Sequence, residues 1–348
     1  MTIAHDLEQP PQPERRGAEA LLSVVVPAYN EAEVLPAFHG RLAAVLAKLG
    51  LAAEIVYVND GSTDETLKIM ESLRAADARV AIVDLSRNFG KEIALSAGLD
   101  HAKGDAVAVI DADLQDPPEL IPELVKRWQD GYDNVYAKRT ARHGETFFKK
   151  ATASAFYRLI QGVSRVRIPE DTGDFRLLSR RAVDSLKQLR EQHRFMKGLF
   201  AWIGYPGIAV PYRRDPRFAG ETKWNYWHLW NFALEGITSF TIAPLKIATY
   251  LGLLTAIAAF GFGAVIIYRT IAYGDPVRGY PSLMVVVLFL GAVQLVGIGI
   301  IGEYLGRMFD ETKRRPLYFL NTYRPAAPAE NSDGPAREAG KSSSQAVP

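Results

Sequence analysis

The sequence predicts an α/β fold, a mostly parallel sheet covered by helices on both faces, followed by a two-helix transmembrane hairpin. Three observations predict it. Short apolar runs alternate with segments of helical period through the first 140 residues, polar clusters stand at the ends of those runs, and two long uncharged stretches follow after Lys246. Strand and helix in strict alternation place consecutive strands parallel, because each crossover must return the chain across a sheet face.

The strands are predicted at Leu21–Val26, Ile55–Val58, Val80–Leu85, Ala106–Ile110 and Asn134–Ala137, all rich in residues that pack on a pleated surface. The intervening helices are predicted at Ala32–Leu49, Asp64–Ala76, Glu92–His101 and Glu119–Gln129. Ser62, with Glu65 three residues later, fits a capping box for the second helix, just after a turn on Asp60-Gly61. There is no Gly-x-Gly-x-x-Gly after the first strand, which argues against a dinucleotide-binding Rossmann domain.

No charged residue lies between Lys246 and Arg269 or between Arg278 and Glu303. At about 1.5 Å per residue each stretch reaches roughly the 30 Å of a bilayer core. Two such stretches in succession predict membrane spans at 247–268 and 280–302. The first twenty residues are polar and hold no apolar core of signal-peptide length, so the front of the chain is expected in the cytoplasm. Arg307, Lys313, Arg314 and Arg315 follow the second span and place that end on the same side. These signals divide the chain into a polar, disordered tail (1–20), an α/β domain (21–223), an interfacial segment (224–241), the hairpin (242–303) and a cytoplasmic tail (304–348) without order after 324.

Among 348 residues there is no cysteine, which excludes disulfides and thiolate metal sites. The net charge of +2 gives no footprint for nucleic acid.

The most informative stretch is Asp111-Ala112-Asp113-Leu114-Gln115-Asp116-Pro117-Pro118, where the fourth strand ends. Ligands of open α/β sheets bind at such strand ends. Asp111, Asp113 and Gln115 offer hard oxygen ligands suited to Mg²⁺ or Mn²⁺ carrying a diphosphate, although alone the stretch reads equally as a solvated acidic turn. Two more polar clusters fall on the same edge: Pro27-Ala28-Tyr29-Asn30-Glu31 after the first strand and Asn59-Asp60-Gly61-Ser62-Thr63-Asp64 after the second. A tyrosine face and a carboxylate there suit a base and a ribose.

In order and spacing, PAYNE from Pro27, VNDGSTD from Val58, SRNFGKE from Ser86 and DADLQDPPE from Asp111 resemble the family-2 glycosyltransferases of GT-A fold. With GDFRLLSRR from Gly173, RFMKGLFAWIG from Arg194, YRRDPRFAGETKW from Tyr212 and the two carboxyl-terminal spans, the chain is similar to the bacterial polyprenyl-phosphate glycosyltransferases, and to the related dolichol-phosphate mannosyltransferases. The likeness runs from Leu21 to Pro316. It implies transfer of one sugar, with inversion, from a nucleotide diphosphate sugar to undecaprenyl or another polyprenyl phosphate, with UDP-glucose the favoured donor and GDP-mannose or another UDP-sugar the alternative. By that resemblance Pro27, Tyr29, Glu31 and Asp60 surround the nucleoside and Asp111 contacts the nucleotide. Asp113 holds the metal, joined by Gln115 and Asp111, and Asp174 is the catalytic base position. No cofactor beyond Mg²⁺ or Mn²⁺ is implied, and a homo-oligomer is compatible with the pattern. The Gln-x-x-Arg-Trp of processive polysaccharide synthases is missing, since Leu124 precedes Lys126-Arg127-Trp128 where glutamine would stand. A scaffold that keeps the fold for binding alone would not need Asp111, Asp113, Gln115 and Asp174 together.

A lipid phosphate needs fixed cations at the membrane surface. Arg139 and Arg142 follow the fifth strand, and Arg213, Arg214, Arg217 and Lys223 crowd a short segment before Trp224, Tyr226, Trp227 and Trp230. Arg139, Arg213, Arg217 and Lys223 are therefore expected to meet the acceptor phosphate, with the aromatic segment along the bilayer surface. Thr146–Val163 reads either as a second interfacial helix or as core. His193 and His228 have no partner at metal spacing and read as surface or packing residues. A phosphate monoester is already largely dianionic at neutral pH, so Asp174 reads as an orienting group as well as a base, and Asp171 is a weaker candidate.

Overall fold

A computed structural model of the chain describes residues 16–17, 19–140, 172–213, 243–273 and 279–327. Within them the order is β1 (Leu21–Ala28), α1 (Leu35–Lys48), β2 (Ala52–Asn59), α2 (Thr66–Ala76), β3 (Val80–Leu85), α3 (Lys91–His101) and β4 (Ala106–Val109). A short 3₁₀ turn (Pro118–Leu120), α4 (Ile121–Gln129), β5 (Asn134–Arg139), β6 (Thr172–Ser179), α5 (Arg180–Gln188), α6 (Met196–Trp202) and β7 (Gly207–Tyr212) follow. Two long helices, α7 (Ala243–Tyr273) and α8 (Tyr280–Thr312), precede a last strand, β8 (Leu320–Arg324).

The described strands form one sheet in the order β7-β5-β6-β4-β1-β2-β3-β8. Six of its eight strands run the same way, and β6 and β8 run against them. The five predicted strands and four predicted helices are all present. Their apolar runs work as expected: every residue of β3 and β4 is buried, as parallel strands covered on both faces require. One face packs α1, α2 and α4 on β1, β2 and β5 through Phe38, Leu42, Met70, Ile121, Leu124 and Trp128. The other packs α3, α5 and α6 through Leu95, Leu99, Val183, Leu186, Leu199 and Phe200. Each fully buried side chain of this kind contributes about 1.5–3 kcal/mol before the entropy of ordering the chain is set against it.

Pro27 lies inside β1, where a missing N–H would break a ladder. Val25 accepts from Ile110 N and Ala28 from Asp60 N, so alternate residues of β1 face β4 and β2 in turn. Pro27 therefore faces the β4 side, beyond the last β4 rung at Val25–Val109, and no sheet bond is lost.

One expectation needs correction. Ser62 does not cap α2: the helix begins after Glu65 with no side-chain cap, and Ser62 Oγ instead accepts from Asn30 N at 3.1 Å. The loop after β1 competes for that hydroxyl and wins, while Asp64 serves the first turn by accepting from Thr66 N at 3.0 Å. His193, read as a surface or packing residue, is partly exposed, with its Nε2 3.3 Å from Asp310 near the end of α8.

The windows Ala248–Val265 of α7 and Phe289–Thr312 of α8 have mean hydropathies of 1.7 and 1.5, and none of either is buried within the protein. Long apolar helices that the chain leaves uncovered suit a bilayer and place the protein at a membrane. The chain then returns to the sheet. Strand β8 pairs antiparallel with β3, Val83 opposite Tyr323, and covers an edge that would otherwise stand open.

Candidate active site

The carboxyl ends of β1, β2, β4, β5 and β7 share one edge of the sheet, and because β6 runs against them its amino end lies there too. That reversal brings Asp174 to the site. Val109 of β4 pairs with Arg176 of β6. Asp111 stands two residues beyond Val109 and Asp174 two residues before Arg176, so the register sets the two carboxylates opposite each other.

Lys91 lies between them, its Nζ 2.8 Å from Asp111 Oδ2 and 2.6 Å from Asp174 Oδ2. It opens α3 directly after Gly90, whose φ is 95°. Asp60 clamps this turn, its two carboxylate oxygens accepting from Phe89 N at 2.7 Å and Gly90 N at 3.0 Å. Gly61, at φ +64°, supports the same turn from below. A Cβ there would come within 2.4 Å of Arg87 C and Asn88 N, so only glycine lets the two loops touch.

The charges around Asp174 decide its state. Burial pushes its carboxyl up, but the ammonium groups of Lys91 and Lys197 and the guanidinium of Arg176 overcome that and hold it well below the usual carboxylate range. Burial lowers Lys91, yet its two carboxylate partners leave it well above the usual lysine range. Asp111 moves upward, through burial and the nearness of Asp174, against the pull of Lys91. Glu92, which accepts from Met196 N at 3.2 Å, is pushed up to about 7 by burial and by the charge of Asp174. Arg176 is buried with its guanidinium 3.8 Å from the centre of the Phe200 ring, and burial lowers it to about 10. Asp174 Oδ1 is buried with no hydrogen-bond partner among the described residues.

The loop after β4 is folded for chemistry at some cost. Leu114, buried between Asp113 and Gln115, has φ 57°, a strained conformation for a branched residue. Asp113 Oδ1 accepts from Gln115 N at 3.1 Å, which closes the turn. Among the described residues no three of His, Cys, Asp or Glu gather at a metal-binding spacing. Two carboxylates and a carboxamide on one loop still fit a hard cation whose remaining ligands are phosphate oxygens.

At the β5–β7 end, Arg139 pairs with Tyr212 across the last rung. Its side chain passes over Gly173, where an added Cβ would stand 3.1 Å from Arg139 Nη2, and it feels the charges of Asp116 and Asp111. Arg213 is exposed one residue further on.

The structure thus brings Asp111, Asp174, Arg139 and Arg213 to one edge with Asp113 and Gln115. Tyr29, 37% exposed, and Glu31, whose N donates to Thr66 Oγ1 at 2.9 Å, follow β1 on that edge, with Asp60 after β2. Arg142, Asp171, Arg214, Arg217, Lys223, His228, the segment Thr146–Val163 and the aromatic segment from Trp224 lie outside the described residues. The sequence reading did not single out Lys91, Glu92, Arg176 or Lys197. Two signals could have found them: a lysine at a helix amino end, where the dipole disfavours cations, and a lone arginine inside the apolar run Phe175–Leu178.

Comparison with known proteins identifies the family. Residues 23–187 match the glycosyl transferase family 2 profile, and residues 243–308 match the GtrB C-terminal hairpin. A glycosyltransferase of Synechocystis sp. is 55% identical over 300 residues, covering 86% of this chain and 94% of that protein. The prophage bactoprenol glucosyl transferase homolog of Escherichia coli is 50% identical over 299 residues, covering 86% and 98%. The prophage-derived bactoprenol glucosyl transferase of Shigella flexneri is 50% identical over 299 residues, covering 86% and 97%. The chain belongs to the family 2 glycosyltransferases, in the group that joins this catalytic fold to the GtrB hairpin and includes the bactoprenol glucosyl transferases.

Proposed function

We propose that this glycosyltransferase moves a single sugar from a nucleotide diphosphate sugar to a polyprenyl phosphate, with UDP-glucose as donor and undecaprenyl phosphate as acceptor. The observation that carries the reading is the meeting of Asp111, from the donor-side loop, with Asp174 across Lys91, at the sheet edge where β5 ends in Arg139. The names of the Escherichia coli and Shigella relatives support glucose and bactoprenol. Pro27, Tyr29, Glu31 and Asp60 frame the nucleoside, and Asp111 contacts the nucleotide. Asp113 and Gln115, with Asp111, would hold Mg²⁺ or Mn²⁺, which when bound would supply charge to stabilise the departing diphosphate.

The chain's own residues do the rest. Arg139 and Arg213, with Arg217 and Lys223, bind the lipid phosphate, whose oxygen attacks the anomeric carbon opposite the leaving group and inverts it. The carbon–oxygen bond to the diphosphate breaks, and the nucleoside diphosphate leaves with the electron pair. Asp174 orients the acceptor or the sugar through its Oδ1 and takes no proton, because the neighbouring cations make it a weak base. The two apolar helices anchor the protein in the bacterial inner membrane with the catalytic domain and both ends in the cytoplasm.

Membranes incubated with a panel of radiolabelled nucleotide sugars provide the test. Label from one donor is expected in the organic, lipid-soluble phase as a monosaccharide. Label in a growing polymer, or none in the lipid phase from any donor, would refute the single-transfer reading.

A further inference from the structure

Lys91 stands where local physics disfavours it. A cation at the first position of α3 opposes the helix dipole, and it is compensated by the two carboxylates that it touches, 2.8 and 2.6 Å away. Those carboxylates come from different halves of the site: Asp111 from the loop that follows β4, and Asp174 from the start of antiparallel β6. Two ionised carboxylates facing each other across a rung repel, and an ammonium between them removes that cost.

The turn that delivers Lys91 is built for accuracy. Asp60 fixes Phe89 N and Gly90 N, and Gly61 admits the backbone of Arg87 and Asn88 at contact distance. Beyond this anchored backbone the side chain is 46% exposed at the crevice and carried on a four-carbon stem. Lys91 also holds Asp111 Oδ2, an oxygen of the loop on which a donor-bound divalent cation would sit.

We propose that Lys91 is a positioning residue that ties Asp111 to Asp174 in the nucleotide-free site, competes with a divalent cation for Asp111, and yields that carboxylate when the donor arrives. Its ammonium then remains within reach of the diphosphate, which it attracts as a point charge. The tie keeps the donor-side and acceptor-side carboxylates in register until the donor arrives. This inference rests on the sugar-transfer reading above.

The test uses the full-length protein in detergent, with Mn²⁺ binding followed by electron paramagnetic resonance, with and without UDP, alongside single-sugar transfer. Lys91→Met keeps the stem and removes the charge. Without UDP it is expected to bind Mn²⁺ about tenfold more tightly than wild type, while transfer falls about a hundredfold through kcat more than through donor KM. Lys91→Arg keeps the charge and is expected to retain wild-type Mn²⁺ affinity with part of the transfer rate. A merely structural lysine gives the opposite sign, with binding weakened or unchanged on its loss. Wild-type-like or weaker Mn²⁺ binding by folded Lys91→Met, with wild type behaving normally, overturns the inference alone. A wild-type protein that binds no Mn²⁺ with UDP and transfers no sugar overturns the metal-dependent reading and the inference together.

Discussion

Tyr212 stands across the last rung of the β7–β5 pairing from Arg139, and its hydroxyl accepts from Arg139 Nε at 3.3 Å while donating to the buried carboxylate of Asp116. One phenol thus links the loop after β4 to an arginine at the end of β5. Tyr212→Phe removes both bonds and takes a donor from a carboxylate that is 1% exposed, at a cost of about 1–3 kcal/mol. A lower melting temperature and a raised lipid-acceptor KM with donor KM unchanged are expected. An unchanged melt would show that the hydroxyl contributes nothing to the fold.

Asp174 is held below its ordinary value of 3.8, so its contribution to stability is present above about pH 4 and is lost as pH falls through the lower folded value. Between pH 6 and 8 it stays ionised. Asp174→Asn should therefore lose activity by a similar factor at each pH in that range, as an orienting group would. A steep recovery of the variant between pH 6 and 8, absent from wild type, would instead assign it the role of base.

Glu92 has the opposite sign. Its folded value of about 7 lies above the ordinary 4.5, so the folded state holds a proton that the unfolded chain has released, and stability declines as pH rises between these values. The melting temperature of wild type should fall from pH 5 to pH 7.5, and Glu92→Gln should flatten that slope. Parallel slopes for the two proteins would remove Glu92 as the cause.

Arg213 continues β7 at the exposed edge of the site. The double variant Arg213→Ala/Arg217→Ala is expected to raise the acceptor KM about tenfold or more with nucleotide binding intact, because each guanidinium forms charge-assisted bonds to one substrate only. Lysine at both positions should rescue poorly. Unaltered acceptor kinetics would move the lipid phosphate elsewhere.

Asp113 closes the strained turn at Leu114, its Oδ1 accepting from Gln115 N at 3.1 Å. Asp113→Ala should remove nearly all transfer, a loss of several kcal/mol of barrier lowering, while the protein stays folded and in the membrane. Full activity of wild-type enzyme after EDTA treatment would exclude the metal.

The elements of the α/β domain were legible because their signals are local. Runs such as Val80–Leu85 are apolar throughout because parallel strands are buried on both faces, and the turns between them carry their own residues. The same locality exposed the carboxylates of Asp111 and Asp113 and the two long uncharged helices. Local signals also misled: Ser62 had the spacing of a cap, yet its hydroxyl went to Asn30, which is remote in sequence.

Strand direction and register, by contrast, are properties of the assembled sheet. That β6 runs against its neighbours, putting Asp174 opposite Asp111, depends on pairings between residues some 70 positions apart, such as Val109 with Arg176. Strand β8, 235 residues beyond the end of β3, completes the sheet for the same reason. The sequence by itself determined which chemistry the chain carries, since carboxylates, carboxamide and arginines are written in its motifs. Only the tertiary structure decided which of them meet, and that Lys91 stands between two, because charges interact through distance in space and not along the chain.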